Sequence, residues 1–264
     1  MEPYIFSVRK NIHIIDLEQT EELLKNAGNF LYGKAANGEQ IIFVGTKKQA
    51  REVVENEAKR CGALYVTERW IGGTLTNFRV IKKNIDKLVN LMKRRGEGEL
   101  DKYTKKERLM IDREIEKLQR NIGGIIALRG SPGAVFVVDA RRERTAIREA
   151  KRAGVPVVAL VDTNSDPAGI DLVIPGNDDA IKSIAIILKA VSSSVEEGYK
   201  EYATKNKAEK KAADEIKAEE VKASGDKAAV QISVNEAPHV SDDPTLDETL
   251  TETVEDLENI SKEE

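Results

Sequence analysis

Six short apolar runs, each ending at a turn or helix-start residue, constrain this 264-residue chain more than any other feature. They are Ile12–Ile15 before Asp16, Ile41–Val44 before Gly45-Thr46, residues 63–66 before Thr67, Ala134–Val138 before Asp139, Val157–Val161 before Asp162, and residues 172–174 before Pro175-Gly176. The apolar residues are consecutive rather than alternating, and most are β-branched. A strand covered on one face alternates apolar and polar residues; an unbroken run needs cover on both faces, as in a parallel sheet between helices. Helix-like stretches separate the runs. Residues 17–31 place Leu17, Leu23, Leu24, Ala27 and Leu31 on one stripe, and 47–60, Arg144–Ala153 and 178–195 are amphipathic in the same way. Gly154 and Pro156 read as a helix C-cap followed by the start of a strand. The expectation is an α/β protein with a doubly wound parallel sheet.

Residues 79–122 break the rhythm. Ile81, Ile85, Leu88 and Met92 follow one another at spacings of four, three and four, and so do Ile111, Ile115, Leu118 and Ile122. Between them lies Arg95-Gly96-Glu97-Gly98, rich in helix breakers. Two heptad-like helices around such a turn predict an antiparallel coiled-coil hairpin. Each seam is too narrow to cover a sheet as well, so the hairpin is expected to project from the domain. The partition that follows is an α/β domain over 1–78 and 123–202, a hairpin over 79–122, and a tail over 203–264.

Charge is distributed unevenly along these parts. The tail holds 8 Lys+Arg against 17 Asp+Glu, while the hairpin residues 79–121 hold 14 against 8. A basic body suits a polyanion, because each cation set on a phosphate releases a counterion. Tail residues 205–223 carry Glu/Lys pairs at helical spacing and can extend a helix. Beyond Ser224 too little apolar surface remains to offset the cost of ordering, so that stretch is expected to be disordered, and its acidity argues against RNA contact there.

The remaining composition excludes several chemistries. The single cysteine, Cys61, rules out an internal disulfide and reads as a buried filler before the 63–66 strand. His13 and His239 are far apart, so neither a histidine metal site nor a triad is expected, and no cofactor or metal is assigned. No apolar run approaches the roughly 20 residues of a membrane span, and no signal-like segment follows Met1, which reads as a cytoplasmic protein.

Four segments could meet nucleic acid. Gly45-Thr46-Lys47-Lys48 follows a strand and is expected to open a helix, where backbone N–H groups and a lysine can receive a phosphate. It lacks P-loop spacing, and the plainer alternative is a Thr46 N-cap followed by solvated lysines. The stretch from Glu68 to Phe78 holds the only tryptophan, a Gly72-Gly73 pair and several hydroxyl and amide side chains. Trp70 and Phe78 there are expected to pack the base of the hairpin, leaving Arg69 and Asn77 for RNA. Clustered cations complete the set: Arg79, Lys82, Lys83, Lys93, Arg94 and Arg95 on the hairpin, and Arg141, Arg142 and Arg144 after the Asp139 strand end.

An enzymatic alternative rests on Asp139, Asp162, Asp166 and Asp171, which could gather at the C-terminal edge of a parallel sheet and hold Mg²⁺. No base, nucleophile or Gly-x-Gly-x-x-Gly fingerprint accompanies them. Aspartate and asparagine at strand ends, as in Asp162-Thr163-Asn164 and Asn177-Asp178-Asp179, are also ordinary caps and Asx-turns. No catalytic residue is assigned. A protein-interaction adaptor using the hairpin and tail is a third reading.

Several long motifs resemble one family. They are Pro3-Tyr4-Ile5-Phe6 with Ile12-His13-Ile14-Ile15-Asp16-Leu17; Ile42-Phe43-Val44-Gly45-Thr46-Lys47-Lys48-Gln49-Ala50; Arg69-Trp70-Ile71-Gly72-Gly73-Thr74-Leu75-Thr76-Asn77-Phe78; Ala134 through Asp139; Val157 through Asn164; and Ile174 through Ile181. In that order they resemble the bacterial form of the second small-subunit ribosomal protein, "S-two", from Pro3 to about Tyr199. The resemblance implies a flavodoxin-like sheet with a protruding coiled coil. It also implies binding to small-subunit rRNA and a large neighbouring ribosomal protein, "S-one", that docks on it. Members of that family begin with a further His- and Arg-rich segment, and Met1 falls where they have an internal methionine, so a misassigned start is expected. The acidic extension after Tyr202 lies beyond the common family core.

Overall fold

The computed structural model describes the backbone of residues 1–10 and 12–231, and side-chain surroundings through Lys207 apart from Asn11 and Asp101. The chain divides into two units, Met1–Lys210 and Lys211–Glu264. The strands are β1 (Ile5–Arg9), β2 (Ile12–Ile15), β3 (Ile41–Val44), β4 (Leu64–Val66), β5 (Ala134–Val138), β6 (Val157–Val161) and β7 (Leu172–Pro175). The helices are α1 (Leu17–Ala36), α2 (Arg51–Cys61), α3 (Phe78–Gly96), α4 (Lys105–Ile122), α5 (Arg144–Ala153) and α6 (Ile181–Gln231).

Five strands form one parallel sheet in the order β4-β3-β5-β6-β7. That is the flavodoxin-like order, with the chain reversing direction across the sheet between β3 and β5. Every residue of β3, β5 and β6 is buried, which explains their unbroken apolar runs. Odd and even positions serve different faces. Ile41, Phe43, Phe136 and Leu160 pack with Leu31 of α1, Val54 of α2 and Leu188 of α6. Ile42, Val44, Val137 and Val161 pack on the other face with Ile147 of α5 and with Ile81 and Ile122 from α3 and α4.

The run Ile12–Ile15 departs from expectation. It is not in the parallel sheet; it pairs antiparallel with β1 in a separate two-stranded ribbon. Only two residues link β1 to β2, with Lys10 in the left-handed region at φ 49°, and so short a link forces an antiparallel return. The stripe on α1 is also displaced: Leu17 is exposed, and buried Thr20 takes its place by donating its hydroxyl to the Pro175 carbonyl at 2.9 Å. Asp16 caps α1 by accepting from Glu18 N–H at 3.0 Å.

α3 and α4 form a helical pair between β4 and β5. Ile81, Ile85 and Leu88 are buried against Ile115 and Ile122, and Lys87 pairs with Glu114 across the two helices. Met92 turns out, and Leu91 packs in its place. The seam is continuous with one face of the sheet core rather than separate from it. The connection is longer than the expected turn: Gly98 takes φ 73°, a 3-10 turn over Glu99–Lys102 buries Leu100, and Thr104 opens α4 with a reciprocal capping box to Glu107. At the base, Gly124 is the only residue type that fits, since an added Cβ would stand 2.2 Å from the Tyr65 carbonyl oxygen.

α6 is helical through Gln231, past Ser224 where order was expected to end. Alanine and Lys/Glu pairs favour helix without a core. The rest of the acidic tail, 232–264, lies outside the described residues.

Candidate nucleic-acid interface

In this fold the crevice at the C-terminal ends of β3 and β5 is where a phosphate-bearing ligand would sit. Here that crevice is filled by the protein's own side chains. Gly45 follows β3 and packs against α2, where an added Cβ would meet Val54 Cγ2 at 2.8 Å. Thr46 is not the helix N-cap of the plainer alternative. Residues 47–50 form a turn, α2 begins only at Arg51, and its N-cap Ala50 has no capping side chain. Thr46 instead gives its backbone N–H (3.1 Å) and its hydroxyl to one carboxylate oxygen of Glu143, which is 3% exposed. Arg142 Nε donates to the same hydroxyl at 2.8 Å, and Arg51 Nε to the Thr46 carbonyl at 3.0 Å.

Lys47 is turned inward as well. Its ammonium lies 2.6 Å from both Asp178 Oδ1 and Asp179 Oδ1, and 3.7 Å from Asp139 Oδ2. Asp162, Asp178 and Asp179 each bring a carboxylate oxygen within 4.8 Å of the others, so this lysine meets a concentrated negative charge. Burial alone would disfavour its ammonium, but the bonds to Asp178 and Asp179 and the charge of Asp139 outweigh that and raise its pKa. Asp178 is deeper still, at 1% exposed, and burial pushes its carboxyl up despite Lys47. Its second oxygen has no partner among the described residues. Burial raises the Glu143 carboxyl too, against the pull of Thr46 and Arg142.

Of the four aspartates behind the enzymatic alternative, only Asp139 and Asp162 gather here. Asp139 and Asp162 stand at the strand ends, with Asp139 at φ 68° accepting from the Arg142 N–H. Asp171 lies at the opposite edge, accepting from the first N–H of β6 at 2.7 Å. Asp166 folds its own loop by accepting from the Ala168 N–H. Asn177 forms the anticipated Asx-turn, accepting from Asp179 and Ala180 N–H. Sequence reasoning placed Asp178 and Asp179 only as caps, because a charge cluster assembled from three loops leaves no local spacing to read.

The 69–78 loop is fastened to α5. Glu149 accepts from Gly73 N–H at 2.7 Å and Leu75 N–H at 3.2 Å, contacts with no sequence signal. Trp70 is buried in the core beneath it and Phe78 packs alongside, as their apolar bulk predicted. Arg69 and Asn77 are exposed.

The cations sort into two groups. Lys47 is engaged inside the protein beside Thr46, and Arg142 is exposed with its Nε donating to the Thr46 hydroxyl. The three at the end of α3 all have acidic partners: Lys93 with Glu97, Arg94 with Glu99 and the Tyr103 hydroxyl, Arg95 with Asp112. By contrast Lys48, Arg69, Arg79, Lys82, Lys83, Arg141 and Arg144 are exposed and form no ion pair among the described residues. A parallel sheet whose crevice is occupied by its own side chains, with exposed cations that have no ion-pair partner among the described residues, suits a scaffold.

Comparison with known proteins gives that scaffold its family. Residues 1–198 match the family described as Ribosomal protein S2. A curated relative, small ribosomal subunit protein uS2 of Geotalea uraniireducens (strain Rf4), is 49% identical over 198 residues, covering 75% of this chain and 77% of the relative. The chain belongs to the ribosomal protein S2 family. It is a structural constituent of the ribosome and not an enzyme.

Proposed function

We propose that the chain is a structural constituent of the small ribosomal subunit that grips rRNA backbone with the unpaired cations of its α/β domain and of the adjoining start of α3. Arg69, Asn77, Arg79, Lys82 and Lys83, together with Lys48, Arg141 and Arg144, are the contacts. The observation that supports this reading is the sorting of charge: these residues are exposed without acidic partners among the described residues, while Thr46 and Lys47 are consumed by internal bonds. Phosphate contacts supply affinity and rRNA shape supplies specificity. Lys93, Arg94 and Arg95 contribute less, because an RNA phosphate must first displace their carboxylate partners.

The domain partition follows from the same reading: an α/β body over 1–78 and 123–202, a coiled-coil hairpin insertion over 79–122, and an acidic tail. The hairpin helps dock the large neighbouring S-one protein. Exposed Val89, Met92, Leu109 and Met110 on its helices support a protein contact, since RNA backbone gives apolar side chains nothing to bury against. Filter binding of the full chain to small-subunit rRNA in rising salt tests the proposal. A steep loss of affinity between about 50 and 200 mM salt is the expected counterion-release signature, and salt-insensitive binding overturns it.

A further inference from the structure

We infer that Arg141, Arg144 and Arg148 form a dedicated pocket for one backbone phosphate of RNA, a finer assignment that rests on the rRNA-binding reading above. The three arginines line a 210 Å³ cavity with Ala140, Ile147 and Ala168, and Asp166 is the only carboxylate in its wall among the described residues. All three are exposed, and none forms an ion pair among the described residues. Guanidinium groups carry fixed forks of donors that match phosphate oxygens, so three around one cavity exceed what solubility requires.

The position of the cavity adds a second attraction. Arg144 is the first residue of α5, and Arg148, four residues on, shares its face. Glu143, at the N-cap of α5, makes no capping bond, because its carboxylate is turned to Thr46. The first turn of α5 contains no acidic residue. Its first N–H groups and the positive end of the helix lie at Arg144, and Asp166 is the one counter-charge lining the cavity among the described residues.

The walls and surroundings favour an RNA backbone over a small metabolite. Apart from the arginines and Asp166, the lining is Ala140, Ile147 and Ala168, with no amide or hydroxyl to read a base or sugar. Glu149, next to Arg148, ties the Arg69-bearing loop to the same helix, which fixes several cations on one support. Cations held on one support suit a repeating phosphate.

Filter binding to small-subunit rRNA across a salt series tests the assignment with two variants of opposite sign. Replacing Arg141, Arg144 and Arg148 together with Gln is expected to weaken binding and flatten the slope of log affinity against log salt by about 1. Asp166→Asn keeps an oxygen for the Ala168 N–H and removes the opposing charge, so affinity is expected to rise, an outcome that misfolding cannot imitate. If wild type binds rRNA and both variants match it, the pocket assignment falls and the rRNA reading stands. If wild type does not bind rRNA at all, that reading falls and takes the pocket with it. Titration with inorganic phosphate separates the sources: arginine-dependent phosphate binding with an unchanged RNA salt slope overturns the RNA assignment.

Discussion

Glu143 receives both donors of Thr46 on a single carboxylate oxygen, joining residues 97 positions apart and closing the crevice between β3 and β5. Both groups are buried, so removing the acceptor strands two donors without water. Glu143→Ala is expected to lower stability by about 1–3 kcal/mol in urea denaturation. Burial raises the Glu143 carboxyl above its ordinary 4.5, so the folded state holds its proton to higher pH than the unfolded chain. Stability from this group is full below 4.5 and declines as pH rises through the raised folded value. Glu143→Gln keeps an acceptor and cannot ionise. Its unfolding midpoint should fall less than that of wild type between pH 4.5 and about pH 7; an equal fall sinks the argument.

Lys47 and Lys48 are adjacent in sequence and opposite in role. Lys47→Ala leaves buried Asp178 facing Asp179 and Asp139 with no cation, and about 3 kcal/mol of stability should be lost. Lys48→Ala, at an exposed position, should change stability by less than about 0.5 kcal/mol and weaken RNA binding slightly. Thermal denaturation of both variants decides; similar losses would mean that the carboxylate cluster is satisfied without Lys47.

The sheet was legible because burial on both faces writes itself into sequence as unbroken apolar runs, as in 41–44, 134–138 and 157–161. The antiparallel ribbon was misjudged because Ile12–Ile15 has the same local composition, and only the two-residue link to β1 distinguishes it. The family was legible from long motifs in order. The functional geometry was not, for a different reason. Whether a lysine faces RNA or a carboxylate depends on loops distant in sequence: Lys47 meets Asp178 across 131 residues, and Glu149 meets Gly73 across 76. Charge clusters such as 93–95 were visible, as were the acids at 97, 99 and 112, but not which cation each acid would hold.

Tyr199 secures α6 to the start of β3. Its hydroxyl accepts from Ile41 N–H at 3.1 Å and donates to the Glu39 carbonyl at 3.2 Å, and burial pushes its pKa up to about 12. Tyr199→Phe keeps the ring and strands the Ile41 N–H, which should cost about 1–3 kcal/mol in urea denaturation. No ionisation of Tyr199 should be seen by absorbance below about pH 11 while the protein stays folded. A normal phenol titration would show that the hydroxyl is not enclosed.

The helical pair separates two places where RNA could bind. At the start of α3, Arg79, Lys82 and Lys83 have no acidic partner among the described residues, whereas Lys93, Arg94 and Arg95 at its end each have one. Exposed pairs of that kind contribute at most about 1 kcal/mol each, so neither set of alanine substitutions should unfold the protein. The apolar seam of Ile81, Ile85 and Leu88 is untouched in both, and helical circular dichroism should be preserved. RNA binding should differ. Replacing Arg79, Lys82 and Lys83 with alanine is expected to flatten the salt slope by about 2, while replacing 93–95 should flatten it by less than about 1. The difference follows from charge already neutralised within the chain: a cation held by its own carboxylate has fewer counterions to release. Equal slopes for the two variants would place the RNA contact along the whole helix, and a larger loss from 93–95 would move it to the far end.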